Sequence, residues 1–97
     1  MTETYQNWVW HILYHLERRN AKKDKIIGMV TMDELINYIQ EIEKVEWEQV
    51  TPFEKEYGGI TPPHSRVQIQ NSLRGLKNRK LIKEYSNKEG TKCIQTI

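Results

Sequence analysis

Ninety-seven residues, 37 % hydrophobic and 29 % charged, describe one folded domain: too short for a second core, too apolar for a disordered tail, too polar for a membrane protein. A formal net charge of +2 conceals an asymmetry, because residues 1–60 carry seven Lys/Arg against eleven Asp/Glu, a net of −4, and residues 61–97 carry eight against two, a net of +6. No apolar run approaches the roughly 20 residues of a spanning helix, residues 1–7 are polar without a positively charged leader, and Cys93 is the single cysteine, so a cytoplasmic protein without an internal disulfide is expected.

Over residues 4–19, Tyr5, Trp8, Val9, Ile12, Leu13 and Leu16 recur at helical spacing and predict a first helix with one apolar face. Residues 20–25 are polar and basic, and 26–30 form an apolar run long enough for one small strand. Thr31 with Glu34 predicts a capping box, hydroxyl to backbone N–H and carboxylate reaching back, opening a second helix that ends near Lys44. Met32, Leu35, Ile36, Tyr38, Ile39 and Ile42 share its apolar face.

Residues 46–60 read as a long link. Thr51-Pro52-Phe53-Glu54 repeats the capping logic, Gly58-Gly59 ends a short helix, and Trp47, Phe53 and Tyr57 are expected to pin it to the core. Thr61-Pro62-Pro63 predicts the start of the third long helix, with Ile69, Leu73 and Leu76 as its buried stripe and Val67 off that stripe. That helix stops near Asn78. Residues 81–86 and 91–97 then predict two strands joined by Asn87-Lys88-Glu89-Gly90, a turn of residues that accept unusual backbone angles.

Helix, short strand, helix, helix, β-hairpin is the order of a winged helix-turn-helix domain. Ile69, Leu73, Leu76, Leu81 and Ile82, within IQNSLRGLKNRKLI, resemble the V-x-x-x-L-x-x-L-x-x-x-G-L-I signature that closes a recognition helix and enters the wing, with GMVTMDEL upstream. The resemblance implies an α+β, mostly α fold: three main helices plus a C-terminal β-hairpin wing, spanning residues 1–97. Three departures stand out, the mildest being Ile69 in place of valine, which keeps the β-branched apolar character. Lys80 occupies the place where the family usually has Gly, so the left-handed residue ending the helix is expected at Asn78. The link between helices two and three is also several times longer than usual.

The same resemblance implies that the third helix enters the major groove of double-stranded DNA. Gln70, Asn71 and Arg74 are then the base readers, since Gln and Asn can pair with adenine and Arg with guanine O6 and N7, and Gln68 lies beside them. Arg66, Lys77, Arg79 and Lys80 become phosphate clamps, while Lys83, Lys88 and Lys92 on the wing reach adjoining backbone or minor groove. Positive charge gathered on one helix-hairpin unit suits that partner. The other use of such a domain is a protein–protein adaptor whose basic face meets an acidic partner.

Other residues carry weaker signals. His11 and His15 stand one helical turn apart, yet HILYH lacks the Glu of the zinc-protease pattern and no third ligand presents itself, so no metal is expected. His64 is expected to meet phosphate or solvent, Cys93 to be a small apolar strand residue, and Glu41, Glu43, Glu46 and Glu48 to form a solvated surface. Trp10 and Tyr14 lie beyond the apolar arc of helix one. Either the link or the C-terminal strand covers them, or a second copy packs there in a symmetric dimer that offers two recognition helices to a two-fold site. With no glycine loop for phosphate, no nucleophile elbow and no Cys–His pair, neither catalytic residues nor a cofactor are expected.

Overall fold

The computed structural model describes residues 3–24 and 28–97. Its elements are α1 (Glu3–Asp24), β1 (Val30–Thr31), α2 (Met32–Glu48), α3 (Pro52–Tyr57), α4 (Arg66–Asn78), β2 (Ile82–Ser86) and β3 (Lys92–Thr96). The strands form one antiparallel sheet in the order β1-β3-β2, with Val30 opposite Ile94 and Glu84 opposite Ile94 from the other side. This is an α+β chain, mostly helical.

The apolar spacing that predicts each helix also builds the core. Val9, Leu13 and Leu16 of α1, Leu35, Ile36 and Ile39 of α2, and Ile69, Leu73 and Leu76 of α4 meet Val30, Ile82 and Ile94 of the sheet in one buried cluster. Each such side chain contributes about 1.5 to 3 kcal/mol when fully buried. Cys93 is buried in β3 with a free thiol.

Helix α1 runs past the predicted end at residue 19 because nothing stops it: Ala21 and Lys22 are good helix formers and no Gly or Pro occurs before Gly28. Asn20 also anchors the extension, its amide donating to Met29 O at 2.9 Å. Of the predicted strand at 26–30, Ile26 and Ile27 lie outside the described residues, and only Val30 with Thr31 pairs.

At the start of α2, half of the expected capping box forms. Glu34 N donates to Thr31 Oγ1 at 3.1 Å, but the Glu34 carboxylate accepts from Asn20 Nδ2 at 3.2 Å and Arg19 at 3.4 Å instead of reaching back. The helix extends beyond Lys44 to Glu48. The complete box appears at α3, where Thr51 and Glu54 bond reciprocally and Pro52 sits in the first turn.

The expected anchoring of this link by its aromatics is overturned. Phe53 and Tyr57 are 71 % and 69 % exposed and pack on each other, 5.1 Å between ring centroids, because α3 is too short to present a face to the core. Trp47 is half-buried with Lys55 Nζ 5.0 Å from its ring. What ties the link down is a cluster read as surface: Glu43 accepts from the Tyr5 hydroxyl at 2.8 Å and from His64 N at 3.2 Å, and lies 2.7 Å from His64 Nδ1. The His64 ring stacks on Tyr5 at 4.0 Å. Burial first, then the adjoining Glu43 carboxylate, pushes the Tyr5 phenol far above the usual tyrosine range. His64 is thus a structural contact of α1 and α2, and Glu43 is no solvated residue.

Helix α4 begins at Arg66 rather than at the prolines. Ser65 caps it, accepting from Gln68 N at 3.2 Å while Gln68 Oε1 accepts from Ser65 N at 2.8 Å. Pro63 disfavours helical angles at the residue before it, so Thr61-Pro62-Pro63 belongs to the link. At the other end the left-handed residue is Lys80, with φ 60°, and not Asn78. Leu81 N donates to Leu76 O and Lys80 N to Lys77 O, both at 3.0 Å, which closes the helix with a Schellman motif. Asn78 is still helical when the chain turns. A left-handed lysine costs about 1 to 2 kcal/mol, partly offset by glycine's greater unfolded-state entropy. Lys80→Gly is therefore expected to stabilise the protein by about 1 kcal/mol, read as a raised urea midpoint at unchanged slope, whereas β-branched Lys80→Val lowers it.

Candidate nucleic-acid interface

The outward stripe of α4 follows from the inward one. With Ile69, Leu73 and Leu76 buried, Gln70, Asn71 and Arg74 project to the opposite side, Gln70 half-buried and the other two exposed. Strand alternation sends Ile82 into the core and Glu84, two residues on, to the same face of the hairpin, past the edge of the core. Lys92 is diagonal to Glu84 on the neighbouring strand. Helix and hairpin thereby enclose a cleft of about 350 Å³ lined by Met32, Gln70, Arg74, Lys77, Glu84 and Lys92.

Charge within this cleft is three cations around one anion. Lys77 and Lys92 approach Glu84 Oε2 from either side, at 3.8 and 3.9 Å, and both lysines are more than half exposed. Pairs this long and this wet hold their partners by less than about 1 kcal/mol, so a phosphate can draw both lysines away. Arg74 makes no ion pair among the described residues.

The remaining sequence candidates are placed unevenly. Arg66 pairs with Asp33 in the first turn of α2. Arg79 turns back to the start of α1, reaching Glu3 Oε1 at 3.2 Å, Gln6 Oε1 at 3.1 Å and Asn7 Oδ1 at 3.2 Å. Gln68 is committed to capping α4. Lys83 lies on the other face of β2 from Glu84, while Lys80 and Lys88 are exposed beyond the helix end and at the hairpin tip. Asn87 shapes that tip, its side-chain oxygen accepting from the N–H groups of Glu89 and Thr91, both at 2.9 Å.

Met32, Asp33 and Glu84 were not legible as members of this surface. Their signal is a matter of tertiary register: Asp33 meets an arginine 33 residues away, and Glu84 shows only as one of the two acids in a basic segment.

Around α1, Trp10 donates its indole N–H to Leu81 O at 3.2 Å and stacks on Tyr14 at 5.5 Å, so the approach to β2 covers Trp10 within the chain. Tyr14 stays 41 % exposed, with Arg18 Nη1 donating to its hydroxyl at 2.9 Å. His11 meets the edge of Trp10 and His15 lies 6.3 Å from Tyr38; no group of three or more His, Cys, Asp or Glu among the described residues is placed to hold a metal. No helix among them is long and apolar enough to cross a membrane.

Comparison with protein-family models, with curated proteins and with solved structures gives no match to this chain.

Proposed function

We propose that the chain is a winged helix-turn-helix module that binds double-stranded DNA, with α4 in the major groove and the β2–β3 hairpin along the adjoining backbone. The observation that carries it is the cleft: Arg74 and Lys77 of α4 stand beside Lys92 of the hairpin on one exposed face. The succession α1, β1, α2, α4, β2, β3, with the short α3 in the link between α2 and α4, is compatible with the order that the sequence resemblance implies. Gln70, Asn71 and Arg74 read bases, and Lys77, Lys80, Lys88 and Lys92 meet phosphate. Arg66 and Arg79 take smaller parts because each hydrogen-bonds its carboxylate, whereas Lys77 and Lys92 stand 3.8 and 3.9 Å from theirs. Small transcriptional regulators and phage- or plasmid-type accessory factors are the classes of protein that such a module suits.

Two copies would meet through α1 at the exposed Tyr14 ring, since Trp10 is occupied within the chain. A second reading, the protein–protein adaptor, sets the basic face of α4 and the hairpin against an acidic partner, with the exposed Phe53 and Tyr57 of α3 as further apolar contacts. Competition by unrelated duplex separates the two, because an adaptor keeps its protein partner in excess DNA.

The test begins with selection of bound sites from random duplex, followed by Arg74→Ala. A guanidinium bidentate to one guanine is worth about 1 to 3 kcal/mol of discrimination. The variant should lose that much on the selected site and little on scrambled duplex. Equal losses on both would reduce Arg74 to a phosphate contact, and a wild-type protein that selects no duplex would remove the DNA-binding reading altogether.

A further inference from the structure

One side chain on the outer face of α4 fits neither the core nor the polar surface. Val67, in the first turn, is 63 % exposed, and it is absent from the apolar side chains packed on the buried cluster. Its position is not isolated. Val67, Gln70, Asn71 and Arg74 follow one another at i, i+3, i+4 and i+7, so they form one continuous stripe along the exposed side. The apolar residue heads a row whose other members are hydrogen-bonding groups.

We infer that Val67 recognises the 5-methyl group of thymine in the major groove of the bound duplex, and so adds a thymine preference at one end of the site. Because the inference rests on the reading of α4 as the major-groove helix, it concerns which base pairs that helix selects. The chemistry is narrow: along the major-groove edges of the four base pairs, the thymine methyl is the one apolar feature on offer. Valine suits it physically. Branching at Cβ leaves essentially one side-chain rotamer on a helix, so its two methyl groups are held in place before binding and lose little freedom on contact.

Position along the helix sets the order of contacts. Val67 and Arg74 are separated by roughly 10 Å of helix axis, enough to face different base pairs. Gln70 and Asn71 lie between them and can pair with adenine edges. The site is therefore expected to carry a thymine at the Val67 end, adenines in the middle and a guanine toward Arg74.

Thymine-to-uracil replacement tests this, since it removes only the methyl group. Each thymine of a duplex selected by the wild-type protein is replaced singly, and affinities are measured for the wild type and for Val67→Ala, whose exposed site leaves the fold intact by thermal melting. One position should cost the wild type about three- to fivefold, the scale of one methyl group removed from water. Val67→Ala should show a similar loss on the thymine duplex and no further loss at that position on the uracil duplex. Indifference of the wild type to every uracil, or full methyl discrimination by Val67→Ala, overturns the inference while leaving DNA binding intact. Failure of the wild type to select any duplex overturns the reading of α4 itself.

Discussion

Gly28→Ala is expected to cost about 3 kcal/mol of folding stability, more than the same change at Gly59 or Gly75. A Cβ at Gly28 would stand 1.8 Å from Glu17 O, 2.7 Å from Glu17 C and 3.1 Å from Ala21 N, all of them backbone atoms of α1. No side-chain rotamer can relieve that contact, so either α1 or the approach to β1 must move. Either shift disturbs Val30, Leu13 and Leu16, and misfits in a close-packed core cost about 1 to 3 kcal/mol or more. For a domain of this size the loss lowers the melting temperature by roughly 12 to 24 °C.

Gly59 and Gly75 set the comparison. Gly59 has φ 66° but open space around it, so Ala there carries only a dihedral penalty of about 1 to 2 kcal/mol. At Gly75 the clash is with the Gln6 side chain, at 2.2 Å, and a side chain can swing aside. Melting curves for the three alanine variants should rank Gly28 well below the others. A Gly28→Ala protein melting within a few degrees of wild type would refute the close seating of β1's approach against α1.

That glycine also marks where reading by pattern stops. Hydrophobic spacing reports which face of an element is buried, and it located Ile69, Leu73 and Leu76 on α4 and the apolar face of α1, because burial of those faces is what drives the fold. Capping chemistry is equally local, and the Thr51–Glu54 box is present as expected. Contacts between distant residues leave no such trace. His64 and Glu43 are 21 residues apart, Arg79 and Glu3 76 apart, and in each case the sequence offers only a charged residue on a polar face. Ser72 is similar: it looks polar, yet it is fully buried with its hydroxyl donating to Gln68 O at 3.2 Å.

Pattern also misplaced what depends on competition between neighbours. Pro62 and Pro63 suit a first helical turn, but Ser65 offers a better cap and α4 starts there. Phe53 and Tyr57 are apolar enough for a core, but a six-residue helix on a long link has no core to reach. On the candidate interface, composition marked the basic helix-hairpin unit as a whole. Which cations are occupied, Arg66 by Asp33 and Arg79 by Glu3, came only from the fold.

Duplex affinity measured across salt concentration, for the wild type and for the double variant Lys77→Glu, Lys92→Glu, tests DNA binding through this face most directly. Both lysines line the cleft between α4 and the hairpin, and both are held only loosely by Glu84. With about five to six phosphates neutralised, log K for the wild type should fall against log salt with a slope of about −5. Losing two phosphate contacts should flatten that slope by about 2 and weaken binding roughly a hundredfold at low salt, equally on selected and scrambled duplex. Thermal melting of the same samples confirms that the variant is folded. A wild-type affinity insensitive to salt, or a folded double variant that binds duplex as tightly as the wild type, would contradict the placement of DNA on this face.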